Sequence, residues 1–511
     1  MAELLHELIF DSALRAPQSD ALSYRGQCLD YSGLAGKVES AAGALLALGL
    51  SRGERVAVYL EKRIETVSAL FGAARAGGVF VPINPILKAE QVAYIMQDCN
   101  VRILVTSYDR LGLLAPVLKD CRDLHTVLAV GEGTLSLHGI EIVSWNDEIR
   151  SSASPHRVID TDMAAILYTS GSTGRPKGVV LSHRNMMTGA KSVSQYLENT
   201  ARDRILSVLP LSFDYGLSQL TTAFLVGATA VLMNYLVPGD IVKAAEKERI
   251  TGLAAVPPLW IQLAQLAWRS DLRYFTNSGG AMPKATLDAL RARLPGAKPY
   301  LMYGLTEAFR STYLPPGEVD RRPDSIGKAI PNAEILVLRE DGSPCVPGEP
   351  GELVHRGGLV SLGYWNDPQR TAERFRPLPN REEGLVMQEL AVWSGDTVRF
   401  DEEGYFYFIG RRDEMIKTSG YRVSPTEVEE VIYATGMVGE AVALGLPHPV
   451  LGQEIVVVAS PKDGFLDVDA LLAECRARLP AYMVPSRIRV RDGLPRNPNG
   501  KIDRKALAQE V

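Results

Sequence analysis

Eleven consecutive residues hold the densest set of chemically useful groups in this chain: Tyr168-Thr169-Ser170-Gly171-Ser172-Thr173-Gly174-Arg175-Pro176-Lys177-Gly178. They supply three glycines, four aliphatic hydroxyls (Thr169, Ser170, Ser172, Thr173) and two cations, Arg175 and Lys177. Glycine lets backbone N–H groups turn toward an anion with no Cβ in the way. Hydroxyls add neutral donors, and lysine adds a mobile positive charge. That is the chemistry of a polyphosphate cradle. A Walker-type loop needs Gly-Lys-Ser/Thr opening a helix. Here Pro176 precedes the lysine and biases Arg175 away from helical geometry. The competing reading of such a Gly/Ser/Thr/Pro cluster is a solvated hairpin loop.

Other segments carry charge in suggestive company. Tyr303-Gly304-Leu305-Thr306-Glu307 offers an aromatic ring to stack on a flat base, a hydroxyl for a phosphate and a carboxylate for a hard cation. Asp396, in Ser394-Gly395-Asp396, has the two acceptor oxygens that paired sugar hydroxyls need. Lys501 stands in Leu494-Pro495-Arg496-Asn497-Pro498-Asn499-Gly500-Lys501, where prolines and glycine predict a rigid exposed turn. Each has a plain alternative: a strand end, a common turn, a solvated lysine.

The elements that must position these groups follow from hydropathy periods. Strands are expected at Met163–Leu167 and Val179–Leu181 around the glycine-rich run, and at Arg55–Tyr59, Val101–Thr106, Ile205–Leu209, Ala228–Leu232, Gly252–Val256 and Lys298–Met302. Helices are expected between them at Leu34–Leu48, Glu65–Ala76, Ala89–Asp98, Gly239–Arg249 and Pro283–Leu294. Such alternation predicts an α/β fold with largely parallel sheets. From about residue 325 to 410 helices become scarce, and short strands separated by Asp341-Gly342 and Glu403-Gly404 predict a small β-rich subdomain. After Gly410 the pattern restarts, with helices at Pro425–Tyr433 and Asp469–Leu479 and strands at Glu440–Leu446, Ile455–Ser460 and Arg487–Val490. We therefore divide the chain into a core over 1–411 and a small α+β C-terminal domain over 412–511.

Length and composition fit this organisation. A chain of 511 residues, 46% hydrophobic and 23% charged, is long enough for two or more globular domains. Its net charge of −5 argues against nucleic acid as a partner. Five scattered cysteines form no CxxC pair and suggest a reducing compartment. The start Met1-Ala2-Glu3-Leu4-Leu5-His6-Glu7 is acidic where a secretory signal is basic, and no apolar run approaches the ~20 residues of a membrane span. The expectation is a cytoplasmic enzyme with no transmembrane segment. Seven histidines show no obvious clustering, so no Ser-His-Asp triad is expected.

In order and register, these segments resemble the adenylate-forming superfamily of acyl-CoA synthetases, luciferases and peptide-synthetase adenylation domains. The sixteen residues Gly410-Arg411-Arg412-Asp413-Glu414-Met415-Ile416-Lys417-Thr418-Ser419-Gly420-Tyr421-Arg422-Val423-Ser424-Pro425 are the most specific part of the likeness. The resemblance implies AMP-forming acyl-CoA ligation. ATP activates a carboxylate as an acyl-adenylate with loss of pyrophosphate, and CoA then takes the acyl group. Mg²⁺ is implied as well. Residues 169–174 and Lys177 would contact phosphates, and Asn277-Ser278-Gly279-Gly280-Ala281 with Tyr303 would form the adenine platform. Asp396 and Arg411 would meet the ribose, Thr306 a phosphate, and Glu307 the metal. Lys501 would be the catalytic cation of the first step, Asp413 the hinge of a mobile C-terminal domain, and Gly420 part of the loop meeting pantetheine. Val392-Trp393-Ser394-Gly395-Asp396 departs from the family's aromatic-Arg-Thr-Gly-Asp but keeps the aspartate.

Substrate choice stays open at this level. Leu209-Pro210-Leu211-Ser212-Phe213-Asp214-Tyr215-Gly216 falls at the acyl-pocket motif, and its Phe213-Asp214 pair resembles amino-acid-activating domains, whose aspartate binds an ammonium. Asp214 reads equally as the N-cap of a helix over Gly216–Phe224. Leu305 stands where peptide-synthetase domains usually carry proline, and the Lys417–Arg422 loop resembles acyl-CoA synthetases. Tyr215, and Trp260 on the helix after Val256-Pro257-Pro258, are candidates to wall the pocket. The overall pattern also resembles acyl-CoA ligases found with exosortase-type polysaccharide clusters. No serine-bearing carrier signature follows the last motif, which favours CoA as acceptor. Loading of a carrier-protein thiol, or a catalytically silent nucleotide-binding member of the fold, are the alternatives.

Overall fold

The computed structural model of the chain describes residues 2–145, 153–169, 176–379, 387–411, 414–418, 421–448, 451–498 and 500–510. Among them the backbone forms three sheets. A seven-stranded sheet runs in the order Glu141–Ser144, Thr126–Val130, Val101–Ser107, Arg55–Tyr59, Val79–Pro82, Met163–Thr169, Lys177–Ser182. All its pairings are parallel except the last, a hairpin whose register sets Thr169 opposite Lys177. The two strands that flank the glycine-rich run therefore form the sheet's antiparallel edge. Strands such as Val79–Pro82 and Thr126–Val130 are buried at every position, as strands covered on both faces must be.

The largest sheet has a parallel half and an antiparallel half. Thr229–Leu232, Arg204–Ser207, Gly252–Ala255, Tyr274–Asn277 and Lys298–Tyr303 lie side by side in parallel. From Lys298–Tyr303 onward the pairing turns antiparallel, through Thr312–Leu314 and Ser325–Ala329 to Phe406–Arg411, Leu390–Phe400, Gly351–Gly357 and Ala333–Leu338. The predicted β-rich region thus extends the parallel sheet and does not stand apart from it.

The main core joins residues of both large sheets, including Val56, Phe80, Leu206, Leu253 and Phe275, with the helices between them. Eleven of the thirteen residues of the helix Ile64–Ala76 are buried, so it has no solvent face. Its Phe71 meets Phe224 of the helix Asp214–Val226 edge to face, with centroids 5.4 Å apart. Gly72 allows its neighbour, the helix Tyr31–Ala47, to approach, since a Cβ there would lie 2.7 Å from that of Ala41. The third sheet begins after Arg411 and packs its own core around Ile416, Val428, Ile432, Val457 and Leu471. It is the separate C-terminal domain. No helix of the described residues is long and apolar enough to cross a membrane.

Candidate active site

Strand ends deliver the functional side chains. The strand Lys298–Tyr303 ends on Tyr303, a short 3-10 turn over Thr306–Ala308 follows, and cross-strand register sets Asp396 opposite Arg411. As a result the Tyr303 hydroxyl donates to Asp396 Oδ2 at 2.5 Å, and Arg411 Nε donates to Asp396 Oδ1 at 2.9 Å. Burial, and next the Asp396 charge, raise the Tyr303 pKa well above that of a free phenol, so it stays a donor. Asp396 is oriented from behind by its own N–H bond to Ser394 Oγ, which in turn donates to the Leu353 carbonyl. Residues from positions 303, 396 and 411 thus converge.

A second cluster joins the two large sheets. Lys177 Nζ donates to Glu307 Oε1 and to the Tyr364 hydroxyl, each at 2.7 Å, and Tyr364 donates to Glu307 Oε1 at 2.6 Å. Lys177 also lies 4.2 Å from the centroid of the Tyr364 ring. Burial alone would raise the Glu307 pKa. The Lys177 charge and these hydrogen bonds outweigh it and bring it down to about 2. Tyr364 is the member that sequence reading missed. Its backbone lies along the edge strand Lys177–Ser182, with Val180 N–H bonded to the Gly363 carbonyl and Trp365 N–H to that of Gly178. Both side-chain bonds to Glu307 fall on Oε1, which leaves Oε2 as a hard oxygen for a cation. Among the described residues no group of three His, Cys, Asp or Glu forms a protein metal cage. Thr169 Oγ1 is buried and has no partner among the described residues.

Lys501 comes from the C-terminal domain. Its turn is closed by an Arg496–Ile502 bridge and by Lys501 N–H to Asn497 Oδ1 at 3.1 Å. Asn84 of the large domain donates to the Pro498 carbonyl at 2.6 Å, fastening the turn over the site. The Lys501 side chain crosses Gly279, where an added Cβ would stand 2.8 Å from Cε, and ends 5.5 Å from the centroid of the Phe213 ring. Gly279 has φ +83°, so both its backbone and its missing side chain are used. Burial lowers the Lys501 pKa, opposed first by the charge of Asp214. Gly280 and Ala281 lie beside it, and Asn277 Nδ2 donates to the Gly280 carbonyl at 3.0 Å.

The acyl-pocket candidates separate into two groups. Phe213 faces Lys501, and Asp214 accepts from Thr306 Oγ1 at 3.2 Å. Tyr215 and Trp260 are buried more deeply still, at 1% and 0% exposure. The Tyr215 hydroxyl meets Thr276 Oγ1 at 2.5 Å, and Trp260 Nε1 donates to the Thr276 carbonyl at 3.0 Å, which makes both parts of the core. The N-cap expectation for Asp214 fails. Phe213 is the N-cap, Asp214 begins the helix, and its carboxylate turns to Arg310. Ser170, Gly171, Ser172, Thr173, Gly174, Arg175, Asp413 and Gly420 lie outside the described residues.

These residues converge on two large sheets followed by a small C-terminal domain, and the comparisons with known proteins agree on one family. The AMP-binding enzyme family model matches residues 9–365, and that of the AMP-binding enzyme C-terminal domain matches residues 427–501. The chain belongs to the AMP-binding enzyme family. It is 31% identical to the L-proline–[L-prolyl-carrier protein] ligase of Pseudomonas fluorescens, covering 100% of this chain and 99% of that protein. It is 27% identical to a long-chain-fatty-acid–CoA ligase of Bacillus subtilis, covering 99% and 94%. It is also 31% identical to part of a linear gramicidin synthase of Brevibacillus parabrevis, matching over 98% of this chain and 10% of that much longer protein. Among solved structures, ATP-bound MatB of Rhodopseudomonas palustris superposes with a TM-score of 0.85 at 26% identity, covering 100% and 99% of the two chains. The apo form of the same protein gives 0.75. The o-succinylbenzoate CoA synthetase of Bacillus subtilis in complex with ATP and magnesium gives 0.82 at 25% identity, covering 97% and 98%.

Proposed function

We propose that this enzyme converts a small-molecule carboxylic acid to its CoA thioester in two steps. The observation that carries the reading is Lys501, brought over Gly279 into the space bounded by Phe213, Asp214 and Asp396. In the first step a carboxylate oxygen attacks the α-phosphorus of ATP and the bond to the β-phosphate oxygen breaks, giving acyl-AMP and pyrophosphate. Negative charge builds up in flight, and a preorganised cation is what stabilises it. In the second step a thiol sulfur attacks the acyl carbon, AMP leaves, and the thiol proton passes to solvent.

In this reading Asp396 and Arg411 hold the ribose and Tyr303 stacks on adenine. Gly279, Gly280 and Ala281 back the base, and Thr169, Lys177 and Thr306 take phosphate oxygens. The Thr169 hydroxyl, without a partner among the described residues, and the Lys177 amine opposite it fit a polyphosphate. Glu307, ionised at neutral pH and with Oε2 uncommitted, fits Mg²⁺, whose remaining ligands would be phosphate oxygens and water. Magnesium would supply charge neutralisation on the phosphates. The contact of Asn84 with Pro498, which holds the Lys501 turn against the large domain, supports an adenylating role for Lys501. Transfer then requires the C-terminal domain to turn about Asp413 and bring the Gly420 loop forward. Five free cysteines fit a cytoplasmic setting.

A second reading, transfer to a carrier-protein pantetheine, is favoured by the full-length likeness to a prolyl-carrier ligase. The test is acid-dependent ATP–pyrophosphate exchange over fatty, aryl and amino acids, followed by mass spectrometry with CoA or with a phosphopantetheinylated carrier. Exchange plus acyl-CoA is expected. Acylation of the carrier alone would establish the second reading, and exchange with no acid would refute both.

A further inference from the structure

Arg310 lies against Asp214 and is, at 2% exposure, among the most deeply buried large side chains of the described residues. Phe309 precedes it at φ +56°, a left-handed conformation that non-glycine residues rarely adopt, and this reversal directs Arg310 inward. Gly189 makes room for the Phe309 ring, since a Cβ there would stand 2.3 Å from its Cδ1. The guanidinium then lies 4.7 Å from the centroid of the Tyr215 ring. Its Nη1 donates to Asp214 Oδ2 at 2.6 Å and to the Phe309 carbonyl at 2.7 Å. The other oxygen of Asp214 accepts from Thr306. Asp214 Oδ2 is therefore held by Arg310 inside the protein, and Oδ1 is held by Thr306 until a phosphate takes that hydroxyl.

We propose that Arg310 is a specificity-determining residue. It reserves Asp214 in an internal ion pair, so the enzyme takes carboxylic acids without an ammonium group beside the carboxylate and rejects the corresponding amino acids. The inference rests on the adenylating function proposed above and narrows its substrate class. An incoming ammonium would have to part Asp214 from a buried guanidinium, which would then stand without its counter-ion. Otherwise it would lie as a further cation beside Arg310 and Lys501, with Asp214 already paired to the first. The groups of the pair that lack protein partners among the described residues are Arg310 Nε and Nη2, which are donors. An ammonium is itself only a donor and finds no acceptor there. Asp214, which sequence alone leaves equally suited to an ammonium, is thus already neutralised.

The test is pyrophosphate exchange with matched pairs of acids, each compared with its α-amino counterpart, on the full-length wild-type enzyme and on two variants. Wild type should prefer the des-amino member by about 10²-fold or more in kcat/KM. Arg310→Leu should shift that ratio toward the amino member by about 10- to 10²-fold, because Asp214 is set free. Adding Asp214→Asn to it should cancel the shift. Wild-type exchange that is equal or faster with the amino acids overturns the proposal and leaves the ligase function standing. A ratio unmoved by Arg310→Leu in a folded protein also overturns it. Exchange with no acid of either kind overturns the ligase function, and this inference with it. The wild-type comparison needs no variant, so it decides the matter if either variant fails to fold.

Discussion

Removing one oxygen atom, by Tyr364→Phe, tests whether the Lys177–Glu307–Tyr364 cluster is working machinery. The ring stays, and with it the 4.2 Å contact to Lys177. What is lost is the donor to Glu307 Oε1 at 2.6 Å and the acceptor for Lys177 Nζ at 2.7 Å. Hydrogen bonds to charged groups are worth about 1.5–3 kcal/mol each, but Lys177 and Glu307 still hold one another, so about one bond's worth is exposed. That predicts a ~10- to 10²-fold fall in the rate of adenylation. Glu307, at about 2, remains ionised at neutral pH even after its pKa rises by a unit or two. The defect should therefore lie in geometry and not in charge. Single-turnover adenylate formation at graded Mg²⁺ separates these. The expected result is a weaker apparent Mg²⁺ affinity and a lower rate, with thioester formation from supplied acyl-AMP nearly unchanged. An unchanged Mg²⁺ dependence and rate in a folded variant would remove Tyr364 and its two partners from the site.

Lys501→Ala should slow adenylation by about 10²–10³-fold while sparing transfer from chemically supplied acyl-AMP, and equal losses in both steps would refute the alternating arrangement. Gly279→Ala should slow adenylation by about tenfold or more, as its Cβ would meet Lys501 at a φ that alanine tolerates poorly, and quench-flow measures the loss. Burial lowers His6 and His183 to about 4 and His355 to about 3. Their contribution to stability is full above the unfolded value near 6.5 and is lost as pH falls from there toward the folded values. The linkage is about 2 kcal/mol per histidine at pH 5, so thermal melting should drop steeply between pH 7 and 5, and a flat profile would contradict it.

Sequence reading located elements wherever a period or a breaker was strong. Ala89–Asp98 and Arg487–Val490 match to the residue. It passed over Tyr274–Asn277 and Val79–Pro82, four-residue strands ending in polar residues or proline, whose identity comes from parallel neighbours on each side. Tyr303, Asp396 and Arg411 meet although only the strands of the last two are neighbours, that of Tyr303 lying beyond two intervening strands. Sequence reading could not find Tyr364, which reaches Glu307 only because its backbone follows a strand nearly two hundred residues earlier. Nor could it find Arg310, since arginine is almost never fully buried and nothing in its immediate sequence announces a partner. Histidines that look scattered also meet in space: the His6 and His183 rings stand 6.3 Å apart.

The Lys177–Glu307 contact has a consequence for how nucleotide affinity should be understood. Lys177 belongs to the edge of one sheet and Glu307 follows a strand of the other, so the pair is also a seam between them. A phosphate that draws Lys177 toward itself competes with Glu307, and a cation that draws Glu307 competes with Lys177. Polyphosphate and metal arriving together exchange one internal ion pair for two external ones. Either alone weakens a partly buried pair without the other to compensate. The two should therefore bind with positive coupling. The dissociation constant measured for either one alone would understate the contacts it makes, because it is net of parting the seam.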